Sequence, residues 1–248
     1  MPLNRSIRNF LRALHRLGAI ATSGADARFL SPDVPMSSQV SHSRWKSHLL
    51  QLANHAGMKV LEIGSREVTG TSTFRKDFDQ ARYVGFDYYA GANVDVVGDA
   101  HRLSQHFAPG EFDLVFSSAC FEHFAMPWVV AQEIAKVLKV GGHVFIETHF
   151  SYSAHERPWH FFQFSDMALR VLFPPAMGFE CIEAGVSNPI VGRFSRLADH
   201  ALRFRPVPAL YCHSEYLGRK VTDADFPGWE HLDTAALVGD THYPQPRA

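Results

Sequence analysis

The sequence predicts an α/β fold, a doubly wound and mostly parallel sheet with helices on both faces. Short apolar, β-rich runs recur at 59–63 (KVLEI), 82–87 (RYVGFD), 94–99 (VDVVGD), 112–118 (FDLVFSS) and 143–150 (HVFIETHF). Helical or irregular segments separate several of them, the pattern of parallel strands joined by crossovers. The chain has 248 residues, 46% hydrophobic and 20% charged, so it is globular and long enough to bury a sizeable core.

In chain order, residues 3–20 come first. Leu3, Ile7, Phe10, Leu11, Leu14 and Leu17 fall at helical spacing, with Arg5, Arg8, Arg12 and Arg16 around the same helix and no acid before Asp26. This basic amphipathic helix suits packing on its own fold or peripheral contact with an anionic membrane through residues 1–20. Residues 31–41 (SPDVPMSSQVS) hold two prolines and four serines and read as a linker. The expected organisation is therefore a helix and linker over 1–36, a domain over 37–221 and a tail over 222–248. A helix over 42–56 stops at Gly57, one over 127–139 starts on Pro127, which suits a first helical turn, and another covers Ser165–Leu172. Residues 180–187 read as a sixth strand. The stretch 191–208, with Arg193, Arg196, Arg203 and Arg205, reads as a solvated helix face or a patch for an anionic acceptor or membrane.

Charge and cysteines exclude several classes. Lys and Arg number 24 against 25 acids, a net charge of −1, which offers nucleic acid no polycationic surface. No run approaches the roughly 18 apolar residues of a membrane-spanning helix. Cys120, Cys181 and Cys212 are scattered and odd in number, as for free thiols in a reducing compartment, and no apolar leader opens the chain. A cytoplasmic protein is expected. The 15 histidines show no zinc-ligand spacing, so no metal is expected.

Parallel sheets of this kind take ligands at the carboxyl ends of their strands. After the first strand comes Glu62-Ile63-Gly64-Ser65-Arg66-Glu67-Val68-Thr69-Gly70, where glycines allow a tight turn and a close approach. Arg66 stands where a G-x-G-x-x-G turn has glycine, and no G-K-[ST] follows, which argues against a dinucleotide or phosphate loop. Asp87, closing the second strand, can accept from a ribose diol. Asp99 can accept from an adenine amino group while the Ala100 N–H donates to a ring nitrogen. Each aspartate alone reads equally well as a cap or turn residue.

Taken together, VLEIGSREVTG, YVGFD, VVGDA, FDLVFSSACFEH and the helix running into LKVGGHVFIET resemble the class I S-adenosylmethionine-dependent methyltransferases over about residues 45–187. The resemblance implies a Rossmann-like, seven-stranded sheet whose last strand, at 209–221, is antiparallel, and S-adenosylmethionine as cofactor. It would set Glu62, Gly64, Ser65, Arg66 and Gly70 at the amino-acid part of the cofactor, Asp87 at the ribose, Asp99 and Ala100 at the adenine and Ser117 along the cofactor side of the fourth strand. Gly141 and Gly142 would turn the chain into the fifth strand. The S-R-x-x-x-G loop is similar to a type 11-like subgroup associated with glycan and secondary-metabolite pathways. In HERPWHFFQF, His160 and Gln163 stand where that subgroup has Asp and Arg.

Transfer from a sulfonium needs alignment and exclusion of water, and an oxygen acceptor also needs a base. His155 is the first candidate and His123 the second, with His149 and His160 in the same district. Trp159, Phe161, Phe162 and Phe164 read as core or lid packing. The fourth strand lacks the [DN]-P-P-[YFW] of enzymes acting on base amines, Cys120 has no preceding proline, and no Asp closes the strand to hold a divalent ion. The expected function is O- or N-methylation of a small-molecule or glycan-like acceptor. The alternative is a catalytically silent cofactor-binding partner subunit.

Overall fold

The computed structural model describes residues 23–31, 33–68 and 70–233, with 9, 10, 13, 17 and 18. Most of the helix expected over 3–20, and the tail beyond 233, lie outside the described residues. The strands are β1 (Lys59–Ile63), β2 (Arg82–Asp87), β3 (Val96–Val97), β4 (Phe112–Ser118), β5 (Leu138–His149), β6 (Phe179–Pro189), β7 (Gly192–Arg193), β8 (Pro206–Val207) and β9 (Tyr211–Lys220). Seven form one sheet in the order β3-β2-β1-β4-β5-β9-β6. The pairs from β3 through to β5 are parallel, and β9 runs antiparallel to β5. Among the described residues no helix is long and apolar enough to cross a membrane.

Period-two alternation in the central strands supplies a core on each face. Val60, Leu114, Phe116 and Phe145 pack with Trp45, Leu49 and Ala53 of the helix Trp45–Ala53. Leu61, Ile63, Val115, Val144 and Ile146 pack with Val130, Ile134 and Val137 of the helix Pro127–Val137 and with Leu169 and Leu172 of the helix Asp166–Leu172. Ser165 caps the last helix by accepting from the Ala168 N–H at 3.1 Å.

Three expected segments differ for local reasons. The helix expected to reach 139 ends at Val137, because Leu138 already pairs with Phe112 and Lys139 Nζ reaches both oxygens of Asp113 at 2.8 Å. Gly141, at φ +88°, then turns the chain along β5. The third strand shrinks to Val96–Val97 because its flanking acids have other partners. Asp95 accepts from the Gly85 N–H at 2.8 Å and from Arg75 at 2.7 Å, and Asp99 caps the next turn. Residues 35–41 are not a free linker. Met36 bridges to Val186, the Ser37 and Val186 N–H groups bond across at 2.9 Å, and Ser38 donates to Glu183. Ser37 and Ser38, two of the four serines that suggested a linker, are donors to carboxylates.

The chain divides into two compact units, residues 35–187 with 212–248, and residues 1–34 with 188–211. In the smaller unit the basic stretch 191–208 is a hairpin, not a helix face. The Phe194 N–H donates to Arg205, the Phe204 N–H donates back to Phe194, and the Arg193 guanidinium lies 5.6 Å from the Phe204 ring centroid.

In the larger unit β5 and β9 set two buried glutamates side by side, Glu147 opposite Glu215. His42 Nδ1 lies 2.7 Å from Glu147, and Ser118 donates to it at 2.9 Å. Glu215 accepts from Ser37 at 2.8 Å, from the His42 N–H at 3.1 Å and from Ser187. His213 stacks on His42, with ring centroids 4.1 Å apart. Burial pushes the Glu215 carboxyl up to about 7, and the Glu147 charge adds to the rise. A raised carboxyl pKa contributes stability that is complete below the ordinary value of 4.5 and is lost as pH climbs through about 7. Stability should therefore fall across this window by on the order of 2 kcal/mol through this group. Glu215→Gln should flatten that part of the thermal stability profile, and an unchanged slope would contradict the assignment.

Candidate functional site

The strand order reverses at β1, which has β2 on one side and β4 on the other, so a crevice opens beyond their carboxyl ends. Gly64 sits there at φ +87°, donating to the Phe86 carbonyl at 2.9 Å. A Cβ at this position would stand 2.7 Å from Cys120 Sγ. The loop after β1 and the loop after β4 therefore touch, and only glycine permits it. Burial pushes the Cys120 thiol well above its usual range, with the Glu122 charge adding to it, so this sulfur serves packing.

Behind the loop, Tyr83 donates to Glu62, and Asn93 Nδ2 donates to the Tyr83 hydroxyl and to the Ser65 carbonyl at 3.0 Å each. Burial lifts Glu62 to about 7. Glu62 thus acts as the foot of a brace that fixes the loop. Ser65 is buried, with a hydroxyl that has no partner. Gly70 is exposed with nothing near its Cα, so no close approach explains it.

Asp87 ends β2 as expected, and its carboxylate meets the departure in the loop. Arg66 donates from its backbone N–H to Oδ2 at 3.2 Å and from Nε to Oδ1 at 3.3 Å, and Tyr89 N–H donates to Oδ1 at 3.0 Å. Asp99 caps the turn Ala100–Gln105, its Oδ1 accepting from the His101 N–H at 3.0 Å and lying 2.6 Å from Nδ1 of that ring. His101 Nε2 accepts from the Met126 N–H at 3.2 Å and so ties the post-β3 turn to the post-β4 loop. Burial raises the Asp99 pKa, but the His101 N–H and ring outweigh it and hold the carboxyl below its usual range. Ala100 is buried behind it. Ser117 is fully buried and donates to the Ile63 carbonyl at 2.9 Å, bracing β4 to β1. The acceptor set suits a nucleoside: carboxylates at the ends of β2 and β3 can accept from hydroxyl and amino groups, with a glycine turn nearby.

Beyond β4 and β5 the fold gathers the candidate histidines around a residue that sequence reasoning missed, Glu122. It is fully buried, Oε2 accepts from Thr148 at 2.6 Å, and Oε1 has no hydrogen-bond partner. Burial pushes its pKa up, while His149 and the Thr148 hydroxyl outweigh that and keep it a carboxylate. His149 Nδ1 lies 2.8 Å from Oε1 without the alignment of a hydrogen bond. His123 Nε2 and His155 Nε2 lie 3.8 and 4.0 Å from the same oxygen. The other nitrogen of each ring is engaged, His123 Nδ1 with the Trp159 carbonyl at 3.0 Å and His155 Nδ1 with the Ser153 carbonyl at 2.8 Å. The Glu122 carbonyl accepts from the Phe161 and Phe162 N–H groups, and Gln163 pairs with both main-chain groups of Tyr152, which closes the loop between them. The expectation of no metal rested on linear spacing; in space Glu122, His123 and His155 each present a ligand atom within 4.8 Å of the others. The available signal for Glu122 was a charged residue set between phenylalanines just past a strand. Of the expected lid aromatics, Phe164 is core, whereas Trp159 and Phe161 are exposed.

Residues 58–146 match the family described as a methyltransferase domain. Among solved structures, 1,6-didemethyltoxoflavin-N1-methyltransferase from Burkholderia thailandensis, with 1,6-didemethyltoxoflavin and S-adenosylhomocysteine bound, is 16% identical with a TM-score of 0.50, covering 90% of this chain and 93% of that one. A protein from Bacillus halodurans C-125 considered a methyltransferase is 16% identical with a TM-score of 0.52, over 71% of this chain and 99% of that one. Comparison with curated proteins finds no match. The two structures establish the fold. The match over residues 58–146 is to a methyltransferase domain, and S-adenosylmethionine is the cofactor that this likeness supports.

Asp87→Ala should weaken binding of S-adenosylhomocysteine by about 1–3 kcal/mol, the scale of a charge-assisted hydrogen bond. Calorimetry on the folded variant checks it, and unchanged affinity would remove Asp87 from the cofactor site.

Proposed function

We propose that the chain transfers the methyl group of S-adenosylmethionine to an oxygen or nitrogen of a small-molecule or glycan-like acceptor seated over the ends of β4 and β5. The observation that carries this reading is the Glu122–histidine cluster. It begins two residues past Cys120, whose sulfur packs against Gly64 of the cofactor loop, so the polar cluster stands beside the donor end of the crevice. In this reading Asp87 takes the ribose, and Asp99 with the Ala100 N–H takes the adenine. Gly64, Ser65 and Arg66 face the amino-acid moiety, with Glu62 fixing their loop. When bound, the cofactor supplies an electrophilic methyl group; the protein aligns it and keeps water away. Arg66 has to share Asp87 with the ribose, which its partly exposed side chain allows by swinging aside while its backbone N–H stays.

The rim supports the acceptor class. Tyr88, Tyr89 and Trp159 are each more than half exposed, and the Tyr88 and Trp159 centroids lie 6.2 Å apart. Flat apolar faces held in solvent suit the face of a sugar or another ring. A net charge of −1 gives a nucleic acid little to hold. The Burkholderia enzyme named above, whose structure holds 1,6-didemethyltoxoflavin, supports a small-molecule acceptor. The three free cysteines accord with a cytoplasmic setting.

Acceptor activation rests first on His155 and then on His123. Replacing His155 with Ala should lower turnover by about 10²–10⁴-fold, the scale of one activating group, with affinity for S-adenosylhomocysteine unchanged. Release of S-adenosylhomocysteine against sugar hydroxyls and small heterocycles measures it. Wild-type turnover in the variant clears His155. Cofactor binding with no turnover on any acceptor would favour the silent partner subunit.

A further inference from the structure

We infer that Glu122, His123 and His155 form a binding site for one divalent first-row transition-metal ion. Glu122 is fully buried, and its Oε1 makes no hydrogen bond although the rings of His149, His123 and His155 stand 2.8, 3.8 and 4.0 Å from it. His123 and His155 turn Nε2 toward that oxygen, and their Nδ1 atoms are fixed on backbone carbonyls, which accept only from N–H. Each Nε2 is therefore either a bare lone pair or a second N–H. A protonated ring would close on the carboxylate to about 2.7–2.9 Å. The separations are 3.8 and 4.0 Å, too long for that bond. Lone pairs facing a carboxylate oxygen across such a gap repel one another unless a cation stands between them.

The spacing and the surroundings fit such an ion. Bonds of about 2.0–2.1 Å in a tetrahedral site place ligand atoms roughly 3.4 Å apart, and the three atoms here lie within 4.8 Å of one another. Small rotations of the two rings close the difference. Each ligand already has the outer partner that metal-binding side chains use to fix their orientation: Thr148 on Glu122, the Trp159 carbonyl on His123 and the Ser153 carbonyl on His155. His160 supplies a further nitrogen. Its Nε2 is buried without a partner, and its ring centroid lies 4.6 Å from that of His155. Two imidazoles and one carboxylate select zinc, iron, cobalt or manganese over magnesium and calcium, which prefer all-oxygen sets. The binding site stands on its own geometry. Its part in turnover rests on the function proposed above, where the ion would hold the acceptor's oxygen or nitrogen beside the transferred methyl.

The test measures metal directly. The full chain, stripped with chelator and dialysed against Zn²⁺, is expected to retain one equivalent, whereas Mg²⁺ is not retained. Co²⁺ in the same site is expected to show the visible absorption of a nitrogen- and oxygen-ligated ion. His155→Ala, on a loop, and His123→Ala should each weaken Zn²⁺ binding by more than about 10-fold, with calorimetric affinity for S-adenosylhomocysteine unchanged as the check on folding. Failure of the wild-type chain to retain Zn²⁺, or equal retention by the double variant His123→Ala/His155→Ala, would overturn the site and mark the cluster as a proton-sharing group. Loss of cofactor binding in the wild-type chain, with Zn²⁺ retained, would strike at the methyltransferase reading and leave the metal site standing.

Discussion

A carboxylate taken out of water has to be answered by its surroundings, and much of this sheet is organised by that demand. Glu62, Glu122, Glu147 and Glu215 are all buried in or beside strands. Tyr83 answers Glu62 and in doing so draws Asn93 onto the loop after β1. Serines from three separate segments and His42 answer Glu147 and Glu215, which is what holds residues 35–41 to the sheet. Glu122 is answered on one oxygen by Thr148 and surrounded on the other by imidazoles. The hydrophobic layers would form without these groups; the placement of the loops at the crevice would not.

The architecture was legible because its signal is local. Alternating apolar residues mark strands, and Pro127 and Ser165 mark helix starts at the places where the structure has them. Asp87 and Asp99 were visible because strand ends can be counted along the chain. The Glu122 cluster was not, since residues 122, 149 and 155 meet only after β4 pairs with β5. The partners of Ser117 and Arg66 were hidden for the same reason: each bonds to a neighbouring strand or loop more than 20 residues away in sequence. The serines of 37–41 misled because a residue type common in linkers is also a good donor to a carboxylate.

Arg66 gives the crevice a character that a glycine there would not. Its guanidinium lies against both the Asp87 carboxylate and, at 5.5 Å, the Tyr89 ring. A cation already seated on Asp87, the acid proposed to take the ribose, occupies part of what a nucleoside would use. Its salt bridge is partly solvated, so it is a weak competitor. The loop is thus held in shape by a contact that yields easily.

The closed segment between Tyr152 and Gln163 has an evolutionary meaning. It is pinned at its base by one side-chain amide and along its far end by the Glu122 carbonyl, that is, by main-chain hydrogen bonds indifferent to most of its side chains. Substitutions at its outward positions, Trp159 and Phe161 among them, would alter what the crevice admits without disturbing the strands beneath. Descendants of such a chain could change substrate by rewriting a dozen codons, keeping the scaffold they inherited.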